Sequence, residues 1–277
     1  MARLRTMATH NALFPALLKY WRNRRGLSQL DLALAAEVSA RHLSFLETAR
    51  AQPSAEMVLR LCTSLQLPLR EQNALLRAAG HEAAFAEPAL DTQRDTPVHK
   101  AIQRMLQQQE PYPMVVMNRR YDILSANAAA ARLFPRITLD PTRLATPPNV
   151  FHGLFDPRLS RSFVVDWERT ARQLLARLHL EALERGNDPE LAALLRHLLE
   201  YPDVPASWQK PDLGAPPSPT FEIRFQRERL QVAFLTTITV FAVPGNVTLE
   251  ELRLESYFPL DEATEGVCQR LREGKEP

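Results

Sequence analysis

The stretch from Gly26 to Ser54, GLSQLDLALAAEVSARHLSFLETARAQPS, constrains this chain most. It holds two short amphipathic patterns on either side of a tight turn. Ser28 stands where an N-cap is wanted, and Gln29 opens the first helix. Leu30, Ala33 and Leu34 recur at helical spacing, which predicts one inward face. Ala33 is small, as suits a close approach of two helices. A turn follows at Glu37-Val38, and Ser39 is placed to cap a second helix. There Leu43 and Leu46 face the core, and Ala40, Arg41 and Ser44 point the other way. Two short helices on such a turn present the second one to the DNA major groove, its outer residues at the base edges.

Charge agrees with a polyanionic partner. Residues 1–80 carry eleven Lys and Arg against five Asp and Glu, a balance of +6, although the whole chain is only +2. A basic first third on a near-neutral chain suits nucleic acid. The bland alternative is a helical domain with no nucleic-acid role, because a helix-turn-helix pattern alone is a weak signal. Apolar positions continue through Leu59, Leu61, Leu65 and Leu67-Pro68-Leu69, within a first domain read over residues 12–80. Residues 1–11 read as an N-terminal arm, with Arg3 and Arg5 either in reach of DNA or on a frayed terminus.

Gly26-Leu27-Ser28-Gln29, Leu32-Ala33, Val38-Ser39, Leu43-Ser44, Leu46-Glu47, Arg50 and Pro53-Ser54 resemble the Xre-type, phage-repressor-like helix-turn-helix family. The resemblance implies a recognition helix over Ser39 to Phe45, Gln29 at phosphate, and an Arg22–Glu47 brace. The DNA-contacting set it implies is Gln29, Ser39, Ala40, Arg41, His42, Ser44, Phe45 and Arg50. The family often has Gly at two positions held here by Glu37 and Ala49. Those glycines serve a left-handed backbone, so their replacement is expected to cost some stability.

At 277 residues the chain has room for two domains with their own cores. Cys62 and Cys268 are far apart and fit no disulfide framework or zinc pattern, which points to a reducing cytoplasm. Val232 to Val243 is too short and too β-branched for a membrane span. Ala12 to Leu18 runs straight into Lys19 and Arg22 to Arg25, unlike a signal peptide.

Residues 81–96 read as a linker, 97–265 as a second domain, and 266–277 as a tail. Val98 to Gln109 predicts a helix. Met114 to Met117 and Ile123-Leu124 predict strands, and Asn127 caps a run of small residues. A long helix is expected from Ser160 to about Arg185, another from about Pro189 to Glu200, with a Pro-rich loop around Trp208. Three strands finish the domain. Phe221, Ile223 and Phe225 alternate with polar residues. Leu230, Val232, Phe234, Ile238 and Val240 share a face, and so do Leu252, Leu254 and Phe258. This predicts an α+β, two-domain chain: an all-α five-helix head, then one antiparallel sheet packed with helices on one face.

Ile123 to Ala130 resembles the early strand-to-helix element of PAS domains. Arg41-His42-Leu43-Ser44-Phe45 and Glu110-Pro111-Tyr112-Pro113, with Met57 to Gly80, Trp167 to Leu178, Tyr201 to Trp208 and Thr248 to Pro259 in this order, resemble MmyB-like regulators. That resemblance implies a bacterial transcription factor with a PAS-like ligand-binding domain.

An apolar inner sheet face is either covered by the helices or left with a cavity. The expected lining is Val115, Met117, Ile123, Phe155, Trp167, Leu174, Phe225, Phe234, Ile238 and Phe258, suited to a fatty-acid-like or polyketide-like ligand. A carboxylate head would want an Arg or His partner, and the sequence offers too many to choose one. Seven scattered histidines and eight dispersed glycines form no catalytic or metal motif, so neither enzyme activity nor a cofactor is expected. The partners expected are double-stranded DNA, a small hydrophobic ligand and a second copy of the chain, without a membrane. The competing reading gives the second domain only dimerisation or protein docking.

Overall fold

A computed structural model describes residues 2–88, 96–184, 188–210, 221–241 and 245–276. The chain is α+β, with five N-terminal helices followed by a sheet-containing domain. It divides into two compact units, one of residues 1–88 with 243–250, the other of residues 89–242 with 251–277.

The head contains α1 (Ala2–Arg24), α2 (Gln29–Ala35), α3 (Ala40–Glu47), α4 (Ala55–Ser64) and α5 (Leu69–Ala78). Ser28, Ser39 and Ser54 cap three of them, each hydroxyl accepting from the backbone N–H three residues on. Asp31 completes a reciprocal box with Ser28. Leu18, Trp21, Leu32, Leu43, Leu46, Leu61, Cys62 and Leu75 form the core.

Three expectations change here. The N-terminal arm is instead helical, since no Gly or Pro precedes Pro15 to stop α1. α2 packs through Leu32, Ala33 and Ala36, while Leu30 and Leu34 are 58% and 69% exposed. The two alanines let its neighbours come close on that side, so the leucine stripe loses. The head also continues past Gly80: Asn73 donates to the Phe85 carbonyl at 2.7 Å and accepts from the Phe85 N–H at 3.1 Å. Residues 81–88 are therefore part of the head, and 89–95 lie outside the described residues.

The second unit contains α6 (Pro97–Gln108), β1 (Met114–Met117), β2 (Ile123–Ala126), α7 (Ala128–Leu133), α8 (Val150–Phe155), α9 (Trp167–Glu184) and α10 (Pro189–Leu199). Then come β3 (Phe221–Arg227), β4 (Leu230–Thr239), α11 (Val247–Glu251), β5 (Arg253–Pro259) and α12 (Glu262–Arg272). The five strands lie in the order β2-β1-β5-β4-β3, every neighbour antiparallel.

The expected long helix from Ser160 is interrupted. Val164 pairs with Phe225 of β3, the Val165 N–H donates to the Arg224 carbonyl at 2.9 Å, and Asp166 takes φ +52° before α9 starts. The chain thereby covers an open sheet edge. The expected tail is largely α12, whose Val267, Cys268 and Leu271 join the core at helical spacing. β5 lies between β1 and β4 and is buried on both faces, so alternation carries little information there. Tyr257 is buried and Phe258 is 40% exposed, the reverse of the expected pattern. Val240 lies past the end of β4 and is also exposed.

The segment 243–250 belongs to the head's unit. The Val247 N–H donates to the Ala86 carbonyl, and the Leu69 N–H donates to the Glu250 carboxylate at 2.8 Å.

Both positions expected to be strained are left-handed: Glu37 has φ +55° and Ala49 has φ +58°. A Cβ there costs about 1–2 kcal/mol, partly offset by the greater unfolded-state freedom of Gly. Ala49→Gly should therefore stabilise the head by about 0.5–1 kcal/mol. Urea unfolding of the full chain, followed through the head's transition, reads this directly; an unchanged or lower midpoint at constant m-value would contradict it.

Candidate DNA-binding surface and ligand cavity

The outer face of the head is built around one buried carboxylate. Glu47, at the end of α3, receives Arg22 Nε at 2.6 Å and Nη2 at 3.1 Å, and Gln29 Nε2 at 2.7 Å. Arg22 also donates to the Leu27 carbonyl. The brace implied by the family resemblance is thus present, and it ties α1, α2 and α3 together. One amide hydrogen of Gln29 is committed to it, leaving the other available. Burial pushes the Glu47 carboxyl up, but the hydrogen bonds from Arg22 and Gln29 outweigh it and hold the group below its ordinary value.

Ser39 and Arg41 are exposed at the start of α3, and Arg50 is exposed beyond its end. Ala40, His42, Ser44 and Phe45 are half-buried. The Arg41 guanidinium carbon lies 5.3 Å from the Phe45 ring centroid. The aromatic ring therefore shelves the guanidinium without removing it from solvent. Ser39 uses its oxygen to accept from His42 N–H.

In the second unit, β1, β2, β3 and β5 face α7, α8 and the turn after α7 across a cavity of about 260 Å³. Of the ten residues expected to line it, Val115, Ile123 and Phe225 do. Met117, Phe155, Leu174 and Phe234 are instead buried core. Trp167 donates its indole N–H to the Leu154 carbonyl at 2.7 Å and meets Phe155 edge to face. Ile238 is half-buried at the core margin, and Phe258 is exposed. Phe234 and Leu174, expected on opposite sides of the space, both belong to the buried core. The cavity lies where small ones stand: Ala130 and Ala131 on α7, Gly153 on α8. No heavy atom comes within 4 Å of a Cβ built on Gly153. The sequence signal for this space is the alanine run after Asn127.

Tyr257 of β5 closes one wall, and its hydroxyl donates to Glu255 at 3.3 Å. Behind it lies a buried polar network. Tyr121 donates to Glu181 at 2.8 Å and accepts from Arg177 at 2.8 Å, and Arg253 pairs with Glu181 at 3.3 Å. Burial pushes the Tyr121 hydroxyl up to about 12 and raises Glu255 above the ordinary carboxylate range.

A second pocket, of about 420 Å³, shares Asn149 but carries charged and titratable groups, with Arg120, Asp122, His152, Glu190 and His197 on its walls. The His152 and His197 rings sit 5.1 Å apart, and His152 Nδ1 is 3.0 Å from the Tyr201 hydroxyl. His197 is exposed, in the last turn of α10, where it also meets the His152 ring. Among the described residues, no helix is long and apolar enough to cross a membrane.

A helix-turn-helix family model matches residues 18–72. The model described as the MmyB-like transcription regulator ligand binding domain matches residues 98–271. No curated protein matches the chain.

Removing one partner of a buried ion pair costs about 3–5 kcal/mol, so Glu47→Ala should destabilise the head by that order. Because the folded-state value of Glu47 is depressed, its contribution is complete above the unfolded value and fades as pH falls through the folded one. Glu47→Gln should therefore show a flatter loss of head stability below about pH 4 than the parent in acid titration followed by circular dichroism. Parallel curves for the two proteins would remove Glu47 as the source of that loss.

Proposed function

Since the chain belongs to the MmyB-like transcription regulators, we propose that it is a one-component regulator whose second domain senses a small hydrophobic molecule in the cavity bounded by Val115, Ile123, Ala130, Gly153, Phe225 and Tyr257. The observation that carries this reading is the cavity itself. It is almost wholly apolar, it lies within the matched ligand-binding domain, and at about 260 Å³ it exceeds the roughly 150 Å³ that holds a benzene-sized guest. The protein works in the cytoplasm on double-stranded DNA.

On DNA, Arg41 reads a base, with Ala40, His42, Ser44 and Phe45 beside it. Its exposure and its position at the start of α3 support that role, because Arg pairs with guanine through two parallel hydrogen bonds. Ser39, Arg50 and the free amide hydrogen of Gln29 hold phosphate. Heads of this size bind in pairs, so the regulator acts as a homodimer on a pseudo-palindromic site. Arg41→Ala should cost about 1–3 kcal/mol and relax preference at one base position, whereas Arg50→Ala should weaken all sequences alike. Binding-site selection with each variant distinguishes these, and the mass of the complex on DNA reports two copies. A uniform loss for Arg41→Ala would make it a phosphate contact, and a one-copy complex would reject the dimer.

Gly153 supplies a direct test of the cavity. Because its Cβ position is open, Gly153→Leu should fill the space without a backbone clash and remove a helix-weakening glycine, worth about 0.8–1 kcal/mol relative to Ala. Ligand captured from extracted cell lipids, read by non-denaturing mass spectrometry, should disappear in this variant while its DNA affinity without ligand is kept. Equal lipid capture by parent and variant would leave the second domain with dimerisation alone.

A further inference from the structure

The hydrogen-bonding inventory of the cavity wall narrows the ligand. Among the described residues, four polar side chains line it: Thr138, Asn149, Ser160 and Tyr257. Every hydrogen they carry is already donated. Asn149 gives its two amide hydrogens to the Arg120 carbonyl at 2.7 Å and to Asp122 at 2.8 Å, and its oxygen accepts from the Phe151 and His152 N–H groups. Thr138 donates to the Phe134 carbonyl at 2.8 Å. Its 3.2 Å contact with Ser160 must then use the serine hydrogen, since the carbonyl can only accept. Tyr257 donates to Glu255.

Among the described residues, no Lys, Arg or His lines the cavity, and its more exposed margin is Ala126, Ala131, Pro135, Leu144 and Pro148. Of the arginines next to lining residues along the chain, Arg132 pairs with Glu110, Arg136 donates to the Arg132 carbonyl and Arg161 donates to the Pro202 carbonyl, while Arg143, beside Leu144, is exposed and is not part of the wall. What the wall offers is lone pairs, on Tyr257, Ser160 and Thr138. An anionic head needs donors or a cation and finds neither. Left unpaired in such surroundings, a charge is disfavoured by far more than a neutral group of the same size.

We infer that this cavity selects an uncharged, hydrocarbon-rich molecule, such as an alcohol or an ester or hydrocarbon chain, over the corresponding carboxylate. This rests on the proposed ligand role of the cavity and narrows it. An alcohol has an added advantage, because its O–H can donate to the oxygens the wall leaves open.

The experiment is isothermal titration calorimetry of the full chain, stripped of lipid, with 1-decanol and with decanoate at pH 8. Both are held below the concentrations at which they aggregate. Decanol should bind at least about tenfold more tightly than decanoate. Leu144→Arg, which places a guanidinium at the half-exposed margin, should raise decanoate affinity by about tenfold or more and change decanol little. Gly153→Leu should abolish decanol binding. Decanoate binding as tightly as decanol to the parent overturns the inference. So does a Leu144→Arg protein that keeps the parent's preference. Decanol binding that survives Gly153→Leu places the bound molecule elsewhere and overturns the assignment to this cavity. If neither probe binds the parent, the inference and the ligand reading beneath it fall together.

Discussion

Strand β5 carries charge through the middle of the second domain, and the rest of that domain is arranged to satisfy it. Arg253 and Glu255 are 4% and 6% exposed on a strand flanked by β1 and β4. Isolated charges cannot stay in such a place; each needs a partner and further hydrogen bonds. Two residues of α9, Arg177 and Glu181, stand at i,i+4 spacing and supply these together with Tyr121. That requirement fixes where α9 lies across the sheet. Tyr121 also meets Phe151 of α8 edge to face at 4.6 Å, and the Val150 N–H donates to its carbonyl. The same network therefore sets both α8 and Tyr257, two walls of the cavity. The walls are held by polar contacts behind them, so the space between can stay open without side chains filling it. In a core held only by apolar packing, such a void would tend to be filled or collapse.

The elements legible in the sequence were those whose residues dictate their own geometry. Ser28 and Ser39 each had a helix start to cap, and each does so. Phe221, Ile223 and Phe225 alternate because β3 has one covered face, and Ile223 and Phe225 are buried as that alternation implies. What failed was decided by neighbours distant in sequence. Leu30 and Leu34 form as good a stripe as Leu32 and Ala33, and only the close approach of other helices selects the latter. The alternation in β5 dissolves because both faces are covered. Val267, Cys268 and Leu271 recur at helical spacing, but only packing against the distant sheet domain turns that stretch into part of the core.

The position of this cavity is hard to read from sequence for a related reason. Large apolar residues suggest a lining, yet they close space and small ones leave it. Seven of the ten residues expected to line the cavity do not, while Ala130, Ala131 and Gly153 supply the room. The DNA face was more readable, since exposure of Arg41 follows from helical periodicity once Leu43 and Leu46 are assigned to the core. The Glu250 carboxylate accepting from Leu69 N–H, 181 residues away, leaves no local pattern at all.

A ligand can alter DNA affinity only if it favours one of two arrangements that the head also distinguishes. Connectivity bears on how that condition can be met. The chain leaves β4, contributes residues 243–250 to the head's compact unit, and returns to begin β5. α11 thus starts in one unit and ends at Glu251 in the other. Glu251 is held by Arg119 at 3.6 Å, and its carbonyl accepts from Arg253 at 3.4 Å. Arg253 belongs to the charge network on β5, and Tyr257 lies four residues further along the same strand. A molecule that presses on Tyr257 therefore acts on a strand whose first residues are anchored to the end of α11. Loops joining adjacent antiparallel strands usually need only a few residues and serve only to turn the chain. Here the connection is longer, and residues 243–250 within it belong to the head's unit.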